Sequence, residues 1–203
     1  LQLAEAAEGQ AQLAAATPIA TLQITVNGVA QLASAQLVSG NWFDTLGVSA
    51  SSGRVLSEAD DRAGGSEAVA VMSDRMWTRV FARDPAVVGS TLMVNGAALT
   101  VVGIAEPGFD GVIVASPVGL WIPAAAQPLV RYRSNVSTDN ADESAPWVPQ
   151  DGISWLMVWG RQRPGVDPTA MMRPLEARYA QILSARHAGI ENPQRRERAM
   201  ADR

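Results

Sequence analysis

Two Asn-Gly pairs constrain the fold of this chain more strongly than any other feature. Asn27-Gly28 and Asn95-Gly96 each separate two stretches that are rich in apolar and β-branched residues. Asn and Gly readily adopt the two positive φ angles of a type I′ turn, which joins antiparallel strands through two residues. We therefore predict two tight β-hairpins, one from about Leu22 to Val38 and one from Thr91 to Ile104.

The segments around these hairpins carry further helix and strand signals. Leu1 to Ala16 is rich in Ala, Gln, Glu and Leu, which predicts a short amphipathic helix. Ala68 to Met72 has the composition of a buried strand, and Ser73 is placed to cap a helix after it. We expect that helix to bury one apolar face, made of Met76, Trp77, Val80 and Phe81.

The C-terminal part of the chain has three predicted segments. Residues 132–151 are polar and lack periodicity, which predicts a long mobile loop. Residues 153–160 are apolar on nearly both faces, which indicates a strand in the centre of a sheet. A helix capped by Asp167 follows, and we expect Pro174 to kink it or to shift its start. Its predicted buried stripe consists of Met171, Leu175, Tyr179 and Ile182.

Composition excludes several classes of protein. A net charge of -4 leaves no basic field for a phosphate backbone, so we expect no nucleic-acid partner. The chain has no cysteine, which removes disulfides and thiolate metal sites. Its apolar runs are far shorter than the roughly 18–20 residues of a membrane span. Because it opens with Leu1 in a helical pattern, we expect a soluble fragment of a longer protein.

The sequence shows no arrangement that is typical of catalysis. It contains no lysine, which a phosphate-binding P-loop requires, and no Gly-x-Ser-x-Gly nucleophile elbow. Its single histidine, His187, lies in a charged helical region. Asp60 and Asp61 stand close to Gly64-Gly65, but Arg62 occupies a position where a calcium loop needs a ligand. We predict that the chain is not an enzyme and has no catalytic residue, cofactor or metal site.

The six tryptophans are the remaining candidates for a binding site. The predicted helix and strand place Trp77, Trp155 and Trp159 in the core. Trp147 alone has no predicted core position, because it lies between prolines in the polar segment. Because exposed aromatic side chains are favoured at interfaces, we predict Trp147 and Trp42 as possible partner contacts.

The region from about Gln36 to Pro128 contains an ordered series of short motifs. It opens with Val-Ser-Gly-Asn and two aromatic residues at 38–43, followed by Leu-Gly-Val at 46–48. The later motifs include Asp-Pro-x-Val-Val-Gly at 84–89, Asn-Gly at 95–96, Val-Val-Gly-Ile at 101–104, Pro-Gly-Phe at 107–109 and Leu-Trp-Ile-Pro at 120–123. In this order they resemble the extracytoplasmic core domain of MacB/FtsX-type ABC transporter permeases. The likeness extends from Thr21 to about Leu183 and is strongest to the large permeases of soil bacteria such as acidobacteria.

This resemblance implies an α+β fold with two lobes. A βαβ-containing, porter-like frame would hold an inserted, smaller mixed α/β lobe. Residues 1–37 would form the N-terminal part of the frame, 38–128 the inserted lobe, 129–152 a polar loop, and 153–203 the returning strand and helix with a charged tail.

The resemblance also implies a mechanical function. Such a domain lies outside the bacterial cytoplasmic membrane, carries no active site, and moves when a cognate cytoplasmic ABC ATPase hydrolyses ATP. The partners would be that ATPase, reached through transmembrane helices of a membrane-anchored parent, and a second copy in a homodimer. The motif positions would then be structural: Gly40, Asn41, Phe43, Gly47, Trp77, Phe81, Gly89, Asn95, Gly96, Gly103, Gly108, Trp121 and Pro123.

The segment from Val38 to Val48 illustrates this structural interpretation. We expect Ser39, Asn41 and Asp44 to form turns and caps, and Trp42, Phe43 and Leu46 to anchor the lobe. Two other hypotheses remain open at this point. One is a secreted module that binds a carbohydrate or peptide through Trp42 and Trp147, and the other is a hydrolase built on Asp and Ser residues that only the fold brings together.

Overall fold

A computed structural model describes residues 2–62, 68–138, 141–148 and 150–188 of the chain. Its helices are α1 (Gln2–Ala6), α2 (Trp42–Leu46), α3 (Asp74–Phe81) and α4 (Pro168–Ala188). Its strands are β1 (Ala11–Ala16), β2 (Ala20–Val26), β3 (Val29–Val38), β4 (Ala50–Gly53), β5 (Val69–Met72), β6 (Thr91–Val94), β7 (Ala97–Ala105), β8 (Leu120–Pro123), β9 (Ser137–Thr138), β10 (Ile153–Ser154) and β11 (Met157–Gln162). Single 3₁₀ turns cover Glu58–Asp61, Pro85–Val87 and Ala124–Ala126.

Six of these strands close into a barrel. β3 pairs with β2, β2 with β6 and β6 with β7, all antiparallel. β7 runs parallel to β5, β5 antiparallel to β8, and β8 parallel to β3, which completes the ring. Alternate residues of every strand fill the interior, and the largest include Ile24, Leu37, Met72, Leu99, Ile104, Leu120 and Ile122, all at most 1% exposed. The fold is thus mixed and β-rich, with helices outside the barrel.

The two predicted hairpins are confirmed. Asn27 and Gly28 have φ angles of 51° and 78°, and Asn95 and Gly96 have φ angles of 48° and 83°. Each pair joins neighbouring strands in register, with Val26 opposite Val29 and Val94 opposite Ala97. Both hairpins belong to the barrel wall.

The prediction of a helix from Leu1 to Ala16 is wrong beyond its first turns. α1 ends at Ala6, and residues 11–16 form β1, which pairs along its length with β11. Helix propensity separates ordinary residues by at most about 0.7 kcal/mol each, so strand pairing and burial override it. Ala14 and Ala16 are nearly inaccessible, and their small side chains pack in the same cluster as Trp42.

The strand predicted at the centre of a sheet lies at an edge. Residues 153–160 divide into β10, which pairs with the short β9, and β11, whose only strand partner within the described ranges is β1. Trp159 is half-buried, while the other five residues of β11 are exposed. An apolar composition shows that a segment suits a strand, but it does not show how many neighbours that strand has.

Helix α3 follows its prediction closely. Ser73 Oγ accepts a hydrogen bond from the Met76 amide at 3.2 Å, as an N-cap does. Met76 is buried, and Trp77, Val80 and Phe81 pack partly buried against the barrel core. The helix ends at Phe81, before Asp84-Pro85.

Helix α4 agrees with its prediction only in part. It starts at Pro168 and runs through Pro174 to Ala188. Met171 and Leu175 of the predicted stripe pack against α1 and β1, but Tyr179 is 53% exposed. The second half of this helix therefore has no buried aromatic anchor.

The four predicted segments of the chain meet the barrel in different ways. The predicted boundary between residues 37 and 38 falls inside β3, which ends at Val38 and pairs with β8 from Ala35 to Val38. β2 and β3 thus share one barrel with the strands up to Pro123. Outside it, α1, β1, β11 and α4 pack together, and we call these four elements the terminal layer.

Candidate functional site

The segment Val38–Val48, called here the signature segment, leads from the barrel into α2. The Trp42 amide donates a hydrogen bond to Ser39 O at 2.9 Å, which starts the turn. After Leu46, Gly47 adopts a left-handed φ of 67° and its amide donates to Asp44 O at 3.0 Å. Glycine adopts this conformation without the steric cost of a side chain.

Polar groups of the signature segment bind β1 rather than capping α2. The Ser39 amide donates to Ala15 O at 2.8 Å, and Ser39 Oγ accepts from the Ala15 amide at 2.9 Å. Asn41 Nδ2 donates to Leu13 O at 2.8 Å, and Ser39 Oγ donates to Asn41 Oδ1 at 2.7 Å. Asn41 thus occupies the N-cap position of α2 as predicted, but its side chain makes no capping hydrogen bond, because it is engaged by the neighbouring strand.

Two further contacts join the signature segment to the terminal layer. Asp44 accepts a hydrogen bond from Gln12 Nε2 of β1, so Asp44 also bridges elements. Arg161 of β11 donates to Leu46 O. We call these contacts, together with those of Ser39 and Asn41, the joint.

Aromatic rings fill the space behind the joint. Phe43 makes edge contacts with Trp121 at 5.5 Å and with Phe109 at 6.1 Å between ring centroids. Trp42 makes an edge contact with Trp159 of β11 at 6.4 Å. Trp42, Phe43 and Trp121 are each 0% exposed. The prediction that Trp42 contacts a partner is wrong in this structure, because its ring lies inside the core.

The polar segment contains a second aromatic cluster that the sequence did not predict. Trp147 is 1% exposed and packs edge-on against Tyr132 at 6.1 Å and Trp155 at 5.5 Å. Its indole N–H donates to Glu143 O at 3.1 Å, and its amide donates to Gln127 Oε1 at 3.2 Å. Trp147 is therefore not an exposed contact either. With both rings buried, the hypothesis of a binding platform on Trp42 and Trp147 loses its basis.

The carboxylate of Asp61 holds the turn that precedes α2. The Gly40 amide donates to Asp61 Oδ2 at 3.1 Å, and the Ala125 amide donates to Asp61 Oδ1 at 2.7 Å. A side chain at Gly40 would place its Cβ 2.5 Å from Ser57 O, so this approach requires glycine. Burial raises the pKa of Asp61 above its ordinary value, although the backbone N–H bonds oppose that shift.

Asp60 faces the opposite electrostatic environment. Both of its carboxylate oxygens accept bonds from the Arg54 guanidinium at 2.7 Å, and its side chain is 6% exposed. The hydrogen bond from Arg54 is the largest cause that lowers the pKa of Asp60 below its ordinary value, and bonds from Ser57 lower it further. These contacts occupy both Asp60 and Asp61 structurally.

The remaining motif positions of the barrel lie at turns and close approaches. Asn95 Oδ1 accepts from the Gln23 amide at 2.9 Å, while Asn95 Nδ2 donates to Val130 O at 2.8 Å. A Cβ on Gly103 would lie 2.1 Å from Arg54 O. Pro123 ends β8 opposite Val38.

The motif positions around α3 and the later loops are similar. Trp77 is half-buried, donates its indole N–H to Asp84 O at 2.8 Å, and carries the Arg83 guanidinium 4.4 Å from its ring centroid. Phe81 packs on the barrel core. Gly89 and Gly108 both have positive φ angles, of 86° and 90°.

The described residues offer no assembled metal site. Within these ranges, no three His, Cys, Asp or Glu side chains come together in a way that could hold an ion. Gly64 and Gly65 lie outside the described residues, and so does the side chain of His187. Among the described helices, none is both long enough and apolar enough to cross a membrane.

The family described as MacB-like periplasmic core domain matches residues 1–178, and the chain belongs to this family. It is therefore a periplasmic-type domain of a MacB-like ABC transporter permease. No protein of curated function matches the sequence.

Three solved structures share the fold. The periplasmic region of MacB from Actinobacillus actinomycetemcomitans is 15% identical, with a TM-score of 0.60 over 86% of this chain and 69% of that chain. The extracellular domain of the noncanonic ABC-type transporter YknZ from Gram-positive bacteria is 10% identical, with a TM-score of 0.59 over 86% and 78%. A permease domain from Porphyromonas gingivalis is 16% identical, with a TM-score of 0.55 over 89% and 68%. At these identities the likeness establishes the fold alone.

Proposed function

We propose that this chain is a non-enzymatic coupling domain, which transmits movement from membrane helices to structures outside the bacterial cytoplasmic membrane. One observation carries the proposal. Both ends of the described chain lie in the terminal layer, and the joint ties that layer to the barrel. A force applied at the two ends would therefore reach the barrel through the joint, through the hydrogen bonds that Thr17 makes with Gln36 and Leu37 of β3, and along the chain from β1 into β2.

The pairing of β1 with β11 places the two ends side by side. The strands are antiparallel, with Ala11, where β1 begins, opposite Gln162, where β11 ends. α1 and α4 continue from these positions and pack together through Leu3, Ala7, Met171 and Leu175. This arrangement suits a domain that is inserted between two membrane helices, because both helices would act on one layer.

The joint supplies the rigid connection that transmission needs. Hydrogen bonds between β1 and the side chains of Ser39, which accepts, and Asn41, which donates, fix the direction of the signature segment, and the Trp42–Trp159 contact fixes its distance from β11. Close-packed interiors deform little and transmit strain. We propose that the two mechanical lobes are the barrel and the terminal layer, with the joint between them.

This function defines the expected partners. A cognate cytoplasmic ABC ATPase would act through the transmembrane helices of the membrane-anchored parent protein, and two copies of that parent would form a homodimer. ATP hydrolysis would then move the two periplasmic domains relative to each other, for export or for mechanotransmission.

The parent gene tests this proposal. The open reading frame that encodes the chain should contain segments of about 20 apolar residues on both sides of the domain. The full-length product should copurify with an ATPase that carries a P-loop and is encoded beside it. A reading frame that lacks the apolar segments, or a full-length protein that binds no ATPase, would contradict the proposal.

A further inference from the structure

The first half of β3 has a free edge. β2 covers one side of β3 from Val29 to Ala35, but β8 covers the other side only from Ala35 onward. Gly119 closes the end of the gap, because its amide donates to Ser34 O at 2.9 Å. Among the described strands, residues 29–33 therefore have a neighbour on one side only, and Leu32 is 76% exposed.

The backbone of Ala30 and Leu32 points toward this open side. In β2, Gln23 directs its backbone away from β3, since its N–H and C=O both bond Asn95. Residues opposite each other in an antiparallel ladder alternate between bonded and non-bonded pairs, and Gln23 lies opposite Leu32. Leu32 and Ala30 thus turn their N–H and C=O groups away from β2. None of the described residues bonds them there.

A groove follows this free edge. It has a volume of about 430 Å³ and is lined by residues of β3 and α3, together with Ile24 of β2 and Pro117. Arg75 and Arg79 of α3 line its opposite wall. No Asp or Glu is among the described residues that line it.

The cations of the groove are weakly neutralised. Arg75 lies 3.8 Å from Asp110, and its side chain is 50% exposed. Arg79 is exposed and has no acidic side chain within ion-pair distance among the described residues. Although the chain has a net charge of -4, Arg75 and Arg79 make this part of the surface locally positive. It lies beside the backbone groups of β3 that no described residue bonds.

We propose that this groove binds an extended, acidic peptide segment of a partner protein, which adds a strand to β3. The peptide backbone would bond Ala30 and Leu32, its apolar side chains would cover Leu32, and a carboxylate would pair with Arg79. Strand addition of this kind draws affinity from main-chain bonds and specificity from the groove beside the edge. Charge favours this occupant over a second copy, whose β3 edge would bring another Arg75 and Arg79 into the groove.

A matched pair of peptides tests the proposal. The probes are fluorescein-labelled Thr-Val-Glu-Val-Glu-Val-Thr and its lysine counterpart Thr-Val-Lys-Val-Lys-Val-Thr, titrated by fluorescence anisotropy. We expect the acidic peptide to bind and the lysine peptide to bind at least about tenfold more weakly. Amide hydrogen exchange should show new protection at Ala30 and Leu32, whereas Gln31 and Ala33 already bond β2.

Two variants and a control separate this site from nonspecific attraction. Arg79→Glu should weaken acidic-peptide binding about tenfold or more, while Arg173→Glu, the same charge change on α4, should leave it unchanged. Ala30→Pro removes an outward N–H without breaking a β2 bond and should also abolish binding, with circular dichroism as the check of folding.

Equal binding of both peptides, no binding at millimolar concentration, or protection elsewhere would overturn the proposal. Protection of Ala30 and Leu32 by self-association alone would assign the edge to a second copy instead.

Discussion

At the scale of single residues, Phe43 is the side chain on which the signature segment depends. Its ring is fully buried between Trp121 and Phe109. Replacing a buried phenylalanine with alanine removes apolar contacts and leaves a cavity, at a cost of about 3–5 kcal/mol. In a domain of this length, Phe43→Ala should lower Tm by about 10 °C.

Thermal denaturation of Phe43→Ala beside Val114→Ala measures this effect. Val114 is 94% exposed, so its truncation should leave Tm almost unchanged. An unaltered Tm for Phe43→Ala, together with lost binding of a partner, would show that the segment is a binding site rather than a core anchor.

Asp60 and Asp61 should give opposite pH dependences of stability. The pKa of Asp60 is lowered in the folded protein from an ordinary value of 3.8, so its stabilisation is present above that value and is lost as pH falls. The pKa of Asp61 is raised from 3.8, so its contribution is present below that value and is lost as pH rises through the folded pKa.

Free energies of unfolding for Asp60→Asn and Asp61→Asn, measured by denaturant titration from pH 3 to 7, check both signs. The free energy of unfolding of Asp60→Asn should be lower than that of the parent sequence, and the difference should become smaller as pH falls. For Asp61→Asn the difference in the free energy of unfolding should instead become smaller as pH rises toward neutral. Parallel profiles for the two variants would contradict the assigned environments.

At the scale of elements, the position of β7 depends on a close contact between Gly103 and the backbone of Arg54, which leaves room only for glycine. A Cβ on Gly103 would overlap the backbone carbonyl of Arg54, which cannot move away as a side-chain tip can. Gly103→Ala should therefore cost about 1–3 kcal/mol or more. Gly160→Ala is the matched control, because its Cβ would meet the movable end of the Leu13 side chain at 3.0 Å and the Gln12 carbonyl oxygen at an ordinary contact distance of 4.0 Å. Equal stabilities of the two variants would contradict this packing.

The joint should open separately from the barrel. Asn41→Ala removes the bond to Leu13 O and leaves that carbonyl unpaired, at a cost of about 1–3 kcal/mol. Hydrogen exchange should become faster in β1 and at Ser39, while β2, β6 and β7 keep their protection. Asn95→Ala, which loses bonds inside the barrel instead, should show the reverse pattern. Uniform acceleration across all strands in Asn41→Ala would mean that the joint is not a separate unit.

Elements whose signals are local could be predicted from the sequence. The Asn-Gly hairpins and the Ser73-capped helix depend on residues within a few positions of each other. β1 could not be assigned, because an alanine-rich strand exists only through its pairing with a segment about 150 residues away. The strand at β11 was predicted, but its edge position was not. The same distance hides the joint, whose polar side chains look locally like caps until β1 lies beside them.

At the scale of the whole molecule, the closure of the barrel was beyond prediction from the residues alone. It depends on the parallel pairing of β3 with β8, which no turn signal encodes. Burial of Trp147 likewise depends on Tyr132 and Trp155 meeting around it. The family resemblance, in contrast, rests on short ordered motifs, and the match over residues 1–178 confirms it.

The central claim is that the barrel and the terminal layer move together when ATP is hydrolysed below the membrane. The 203-residue sequence has no cysteine, so spin labels at Val114→Cys, in the loop between β7 and β8, and at Glu176→Cys on α4 have no competing thiol within this domain, and cysteines elsewhere in the complex are replaced first. Double electron–electron resonance on the full-length permease with its ATPase should then measure two distances. We predict that the Val114–Val114 distance between copies changes between nucleotide-free and ATP-bound states, while the Val114–Glu176 distance within one copy stays constant. An unchanged distance between copies, or a change confined within one copy, would contradict the account.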